Sequence, residues 1–539
     1  MLLGMGACTP AGSLEGLPPP CVSGYTPCAS SGLCVRKLDD ADKELARERQ
    51  CNYFGREVRQ GGSLVIAVPG AKPDRLPKVT TGSPKLIATP RAVGDGVVVD
   101  LQVQHAAPLG DVPDHKVTID ATIAGAPYKR EFFVLVQAIA ASPDGLDTND
   151  GSESSPFRTF RKAASVAERG DTILLRNDKF GLPSEPTEKD VIVLPAGVTV
   201  HGQVPRVQAP ADAGAAPMAF EEPYRPIPTK LGMPIQLEGQ ATLDNLAILH
   251  RLAVTAAGST LALNDVEATG GIAVAASAES ARLIISGGSV VTTTTEPNPI
   301  LVEADDATLS ISGNANIGHG QALMAAPVIQ FTGRRQHLAV SGDVRIQNIN
   351  SAVTIQLDDA QTVEIEGRAD GALRVLGRVE IVGVDSMVTV KNAEFTEGID
   401  SGSGITFKGD GASALRVEDS KFQGGGITLD GAALKATVRR TTFGAITHNA
   451  IRLLSGALDL GTKDEPGGNT FSTRRDTPLD VIPVALQIDA LEGAATVTSS
   501  ASTFDGSNPG PCQILGPTPK ETIIRGFWRI ANRVAIDFY

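Results

Sequence analysis

Tryptophan is almost missing from this chain: one residue in 539, within an aromatic content of 4%, and neither Tyr nor Trp occurs between Tyr224 and Trp528. Large rings supply much of the buried area in packed sandwiches and helical bundles. Their scarcity, beside abundant Gly, Ala, Val, Thr and Ser, favours short strands with small inward side chains. It also removes the ring faces on which sugar subsites commonly stack. No stretch is long and apolar enough to span a bilayer. Positive charge is outweighed, and the net charge of -13 argues against a nucleic-acid backbone or an anionic membrane surface as partner. A chain of this length exceeds one compact core, so several domains or one extended repeat array are expected.

Cysteine is scarce overall but clustered. Cys21, Cys28, Cys34 and Cys51 fall in a Pro, Gly and Ser-rich segment too short to build its own core, a density that points to disulfides formed in an oxidising compartment. Zinc competes poorly, because no Cys-x-x-Cys pair occurs. Upstream, Gly6-Ala7-Cys8 resembles the end of a bacterial lipoprotein signal, which makes Cys8 a lipidation candidate. The basic start and full apolar core of a signal peptide are missing from residues 1–7, so the expected start lies further upstream, and an ordinary unanchored N-terminus is the alternative. Cys512 is left over, either as a buried thiol or as a staple to Cys8 if that residue carries no lipid.

Residues 1–55 thus read as an anchor and a small cysteine-rich module, ending in a charged helical run over 39–50. From Gly61 the pattern becomes β. The segments 63–68, 96–103, 116–123 and 130–136 are β-branched, partly alternating, and separated by Pro and Gly turns. Their spacing predicts an immunoglobulin-like β-sandwich over 56–138, without a Cys-Trp-Cys signature.

The segment 142–160 reads S-P-D-G-L-D-T-N-D-G-S-E-S-S-P-F-R-T-F, and Gly170-Asp171-Thr172-Ile173 follows it. Ser155 and Pro156 suit a helix N-cap and first helical residue, and Phe160, Ala163, Ala164 and Ala167 recur at helical spacing, predicting a capping helix over about 156–169 that Gly170 ends. The order G-x-D-x-N-x-G-S, P-F-x-T, G-D-T-I resembles the lead-in of pectate-lyase-like right-handed β-helix proteins. The resemblance implies a right-handed parallel β-helix over 139–539, its exposed end covered by that helix.

An internal period supports the same fold. Segments starting at Ser259, Ala281, Ala307, Gln336, Gln361, Ser386, Ser413 and Ala433 align at steps of about 20 to 29 residues, each with alternating apolar positions before a Gly or Asn turn. A Pro and Ala-rich insertion over about 204–229 reads as a surface loop. The array is expected to end near Phe471, with 523–539, including Trp528, closing the far end.

Right-handed β-helices carry lyases and glycosidases as well as inert adhesins, so chemistry must be sought in side chains. Asp305-Asp306, Arg334-Arg335 and Asp358-Asp359 each precede an aligned strand, and stacking would gather them into one column. A lyase would use such acids to hold calcium against a uronate and a base to remove a carbon-bound proton. Asp385, Asp410 and Asp430 occupy comparable positions, and the preferred reading is repeated turn chemistry with arginines neutralising stacked acids on a solvated edge. Gly318-His319-Gly320, with Asp305-Asp306 before and Arg345-Ile346-Gln347 after, is similar to the order in polygalacturonase-type glycosidases, although the N-T-D element is absent and Gln347 replaces lysine. His319, in a Gly-rich turn, is expected to be exposed. In the lead-in turn Asp144, Asp147, Asn149 and Asp150 offer hard oxygen ligands for calcium or, by the preferred reading, Asp and Asn turn caps.

The fold expected is therefore all-β: a cysteine-rich module, an immunoglobulin-like sandwich and a right-handed parallel β-helix. The function expected is a non-catalytic, exported cell-surface protein of adhesive or structural kind, with a glycan or protein partner, no cofactor beyond a possible calcium ion, and membrane contact only through a lipid anchor. A polysaccharide lyase or glycoside hydrolase acting on acidic polysaccharide is the alternative.

Overall fold

A computed structural model describes residues 57–505 except 69, 111, 177–178, 181–190, 203–228, 293–297, 320–325, 349–352, 370–372, 397–403, 447–448, 463, 474–483, 489–494 and 500–501. It also describes the strands Tyr25–Pro27, Cys34–Arg36, Thr522–Ile524, Trp528–Ile530 and Ala535–Phe538. The chain divides into two compact units, Met1–Arg176 and Asn177–Tyr539.

In the first unit Tyr25–Pro27 pairs antiparallel with Cys34–Arg36. Cys8, Cys21, Cys28 and Cys51, the side chain of Cys34 and the charged run over 39–50 lie outside the described residues, as does Cys512 in the second unit. Two three-stranded antiparallel sheets follow, one of Ser63–Val68, Gly96–Val103 and Leu86–Val93, the other of Lys78–Thr81, Lys116–Ile123 and Ala126–Phe133. Alternation explains their shared core. Val97, Val99, Leu101 and Val103 on one sheet, and Val117, Ile119 and Phe132 on the other, are at most 3% exposed and belong to a single apolar cluster. The 130–136 segment is split, Phe133 ending one strand and Leu135–Gln137 pairing in parallel with Glu57–Arg59.

The lead-in segment departs from its predicted helix start. The helix spans Phe160–Val166 and its N-cap is Thr159, whose hydroxyl accepts from the Lys162 amide. Ser155 and Pro156 cannot open a helix here because their carbonyls accept from Gly151 and Leu146, while the Phe157 amide donates to Ala140. Thr159 takes the role instead, held by Asp147, which accepts from both the Arg158 and Thr159 amides. Phe160, Ala163 and Ala164 form the helix's buried face. Ile139–Ala141 then pairs in parallel with Thr172–Leu175.

The second unit is a parallel β-helix. From Lys179–Phe180 to Thr503–Asp505 every third strand belongs to the same sheet, as a coil of three strands per turn requires, and two of the sheets hold 13 and 14 strands. Pairing is parallel except for Thr522–Ile524, which runs against Trp528–Ile530 at the end of its sheet. All eight repeats aligned in the sequence fall on consecutive strands of one sheet, from Thr260–Asn264 to Lys435–Arg439. Their inward positions stack in register: Leu261, Leu283, Leu309, Leu338, Val363, Val388, Leu415 and Ala436 form one interior column. These side chains are at most 2% exposed, and each aliphatic one contributes about 1.5–3 kcal/mol by leaving water.

The array does not stop near Phe471. Val484–Ile488, Ala495–Ser499 and Thr503–Asp505 extend the three sheets, and Trp528–Ile530 and Ala535–Phe538 add further strands. Longer connections break the spacing there and hide the period, while Leu486, Ile488 and Val497 remain buried. Within the coil, Phe395, Phe422, Phe443 and Phe471 stack with centroids 4.7, 5.0 and 4.9 Å apart and rings within 11° of parallel. That spacing is the distance between hydrogen-bonded strands. The insertion expected over about 204–229 lies almost wholly outside the described residues.

Candidate functional site

Two kinds of corner organise the charged residues of the coil. The corner leading into the aligned sheet holds the column singled out from sequence, and stacking does gather it. The Ser280 amide donates to the Asp305 carbonyl, Asp306 to Arg334, Gln336 to Asp359 and Asp385 to Asp410, each bond joining neighbouring coils. Chain reversal in so few residues requires a left-handed backbone, and Asp306, Arg335 and Asp385 adopt it with φ of 53°, 50° and 53°. Asp tolerates this conformation better than most residues; a long side chain such as Arg needs compensation.

The compensation is visible. Arg335 Nε donates to Asp306 Oδ1 at 2.6 Å, and a second guanidinium nitrogen binds Oδ2, a two-pronged pair. One residue earlier, the Arg334 amide donates to Asp305 Oδ1 at 2.8 Å. The hydrogen bonds from Arg335 hold the Asp306 carboxyl below the usual carboxylate range, and the same contact raises Arg335. Both side chains face water, at 53% and 30% exposure for Arg335 and Asp306. Asp358 accepts from Gln356 of its own coil at 2.9 Å. Asp385 accepts from the Ala412 amide one coil on, at 2.7 Å. Gly411 lies beside it with φ of +63°, and a Cβ there would sit 2.3 Å from Asp385 Oδ1.

The corner leading out of the aligned sheet repeats the device. Asp419 and Arg440, with φ of 48° each, occupy equivalent turns of adjacent coils, and Arg440 Nε and Nη2 reach the two Asp419 oxygens at 2.6 and 2.8 Å. Asp419 is likewise held below the ordinary range by hydrogen bonding from Arg440. Sequence reasoning missed this pair, because both residues follow their strands, beyond Glu418 and Arg439, whereas the residues it singled out precede theirs. Asn245 and Asn392 take the same place in other coils, each side-chain amide donating to the carbonyl of the glycine one coil before. Close by, Arg439 is 5% exposed and donates to the Asp459 carbonyl at 2.8 Å and carboxylate at 2.6 Å.

His319 is not exposed. It ends the strand Asn316–His319, is 2% exposed, and its Nε2 lies 3.1 Å from the Ala326 carbonyl. It stands two residues beyond the buried Ile317, on the same side of the strand, and burial lowers its pKa. His319 therefore leaves its sheet toward a different corner from Asp305 and Asp306, and the order seen in polygalacturonase-type enzymes is not gathered into one cluster. Arg345 and Gln347 pair in register with Asn316 and Gly318 on the same sheet as His319.

In the first unit the oxygen-rich turn serves the backbone. Asp147 accepts from two amides and the Thr159 hydroxyl, Asn149 donates to Pro156 at 2.8 Å, and Asp150 accepts from the Ser152 amide at 2.9 Å. Asp144 also has a partner. Among the described residues no group of three or more His, Cys, Asp or Glu side chains is arranged to hold a metal ion. Two polar residues nearby had no sequence signal beyond the G-D-T-I match. Asp171 is fully buried and accepts from the Ala106 and Glu168 amides at 2.8 and 2.9 Å, while His105 Nδ1 approaches it at 2.5 Å. Gln60, 2% exposed, bonds both Ala107 and Thr172.

Among the described residues, no helix is long and apolar enough to cross a membrane. The chain matches no protein-family model, and no curated protein or solved structure is significantly similar to it.

Proposed function

We propose that this chain is an exported, non-catalytic cell-surface protein of adhesive or structural kind, whose β-helix presents stacked outer columns to a surface glycan or protein. In this reading the β-helix is right-handed and pectate-lyase-like, the paired antiparallel sheets are immunoglobulin-like, and the N-terminal segment is a disulfide-bonded module anchored through Cys8. The observation that carries it is the recurrence of one Asp–Arg pair, in left-handed turns, at two different corners of the coil. A catalytic pair is needed once, at the site where substrate sits. A pair that recurs at two separate corners, each time between left-handed turns of adjacent coils, is a brace for the turn, and a carboxylate held ionised by its arginine is a poor proton donor. Small polar side chains on the outer face, such as Ser286 and Ser312 with hydroxyls 3.4 Å apart, continue the same coil-to-coil regularity.

The test is a panel of acidic and neutral polysaccharides, with and without calcium, scored for both binding and chain cleavage. Binding without cleavage is the expected result. Cleavage abolished by Arg334→Ala with Arg335→Ala would replace this reading with a polysaccharide lyase or hydrolase. For the anchor, expression from an extended upstream start should yield a Cys8 carrying lipid mass, and an unmodified Cys8 removes that part.

A further inference from the structure

A cleft of about 440 Å³ opens in the first unit, lined by the strand Glu57–Arg59, the glycines that follow it, the 147–152 turn and the helix around Lys162. Its size lies within the range of roughly 300–1,000 Å³ of small-molecule sites. Its lining is mostly polar, which suits a hydroxylated ligand better than an apolar one.

Two cations share one ring at its base. Arg59 lies 5.7 Å and Lys162 5.8 Å from the centroid of Phe157, positions that hold a cation by the ring's electron density. Arg59 is committed, since it donates to the carbonyls of Gln60 and Asp150. Lys162 is not: among the described residues its ammonium makes no salt bridge and has only the ring. The turn lines the same cleft with Asn149, Asp150 and Ser152, the last 6% exposed and with its hydroxyl 3.2 Å from that of Ser154. Asp150 uses Oδ1 for the Ser152 amide, and among the described residues its Oδ2 has no hydrogen bond. The turn is rigid, because Asp147 ties it to the helix start and Asn149 to Pro156, so these groups are set before a ligand arrives.

We propose that this cleft binds an acidic sugar residue, with the ligand's anionic group on Lys162 and its ring hydroxyls bonded to Asp150. A charged ammonium beside an open carboxylate oxygen matches a ring that carries one anion among several hydroxyls, and neither an apolar molecule nor a simple anion uses both. The site is built from residues of the first unit and the coil corners from residues of the second, so it stands or fails independently of the reading of the β-helix faces.

The experiment is calorimetric titration of the full chain with uronic-acid, sulfated and neutral oligosaccharides of two to four residues. The anionic sugars should bind at least tenfold more tightly than the neutral ones. Lys162→Met, which keeps the stem over Phe157, should weaken them tenfold or more, Lys162→Arg should restore most of the affinity, and Asp150→Asn should weaken the charged and neutral sugars alike. Arg335→Ala, on the coil, should change nothing. Inorganic sulfate alone should bind far more weakly than a sulfated sugar. Equal affinity for neutral and anionic sugars, no binding of either, or unchanged binding in Lys162→Met with an unaltered melting profile would overturn the proposal, as would binding lost through Arg335→Ala.

Discussion

Removing one ring from the phenylalanine stack should weaken the coil locally and by a calculable amount. Phe422 is fully buried between Phe395 and Phe443, with centroids 4.7 and 5.0 Å away. Truncating a buried Phe to Ala costs about 3–5 kcal/mol, and the two stacked contacts, each worth about 0.5–1.5 kcal/mol beyond area, place Phe422→Ala at the upper end. Phe422→Leu keeps most of the apolar volume and gives up only the stacking, so about 1–3 kcal/mol is expected. Because each coil touches only its neighbours, the loss should stay near the site. Hydrogen exchange followed by mass spectrometry should show reduced protection in peptides spanning Ala393–Thr396 and Thr442–Ile446, with Arg282–Ser286 and Thr308–Ser312 unchanged. A cost below about 1 kcal/mol for Phe422→Ala, or protection lost evenly along the whole coil, would refute the reasoning.

Other perturbations follow from single contacts. In Arg335→Ala the Asp306 carboxyl should rise toward the ordinary carboxylate range, read by carbon-detected NMR titration; an unmoved pKa would mean that Arg335 is not its main partner. Gly411→Ala places a Cβ against Asp385 and forces a left-handed φ, so a loss of about 1–2 kcal/mol from backbone strain alone is expected, and denaturant titration should show part of it recovered in Gly411→Ala with Asp385→Ala. Asp171→Ala should destabilise the first unit by about 2–3 kcal/mol, since three hydrogen bonds converge on a fully buried carboxylate; a neutral result in thermal unfolding would remove its structural role. Burial lowers the pKa of His115, against the pull of Asp114. The unfolded chain then takes up a proton that the folded one resists, so stability is full above the unfolded value of about 6.5 and falls as pH drops from there toward the lower folded value. The melting temperature should fall between pH 7.5 and 5.0, less so in His115→Leu, and an equal fall in both proteins would clear His115.

The aligned sheet was legible in sequence because its strands are five to seven residues long and keep apolar side chains at alternate positions, as Thr308–Ser312 does with Leu309 and Ile311. The other two sheets were not. Strands such as Ile300–Val302 and Arg345–Gln347 span three residues, and one or two inward side chains make no period. Two strands of the antiparallel sheets were missed for related reasons: Lys78–Thr81 has no fully buried residue, and Leu86–Val93 contains Pro90. Doublets drew attention to Asp305-Asp306 and Arg334-Arg335, and their stacking was foreseen. The equivalent Asp419 and Arg440 pair went unseen, because a contact between residues 21 apart depends on the length of one particular coil. His319 was misjudged by weighting its glycine neighbours above its place in a strand two residues beyond the buried Ile317. The phenylalanine stack depends on the same variable coil lengths, with steps of 27, 21 and 28 residues from one ring to the next.

The account depends most on coils stacked one strand spacing apart. Ala262, Ile284, Ser310, Ala339, Glu364, Thr389, Arg416 and Thr437 are outward residues paired in register along one sheet. Bioorthogonal spin labels at Ala262 and Thr389, and at Ala262 and Thr437, should be separated by about 24 and 34 Å of stacking, five and seven steps of roughly 4.8 Å. Distances that grow in that ratio support the parallel coil. A separation that fails to lengthen from the first pair to the second would contradict it.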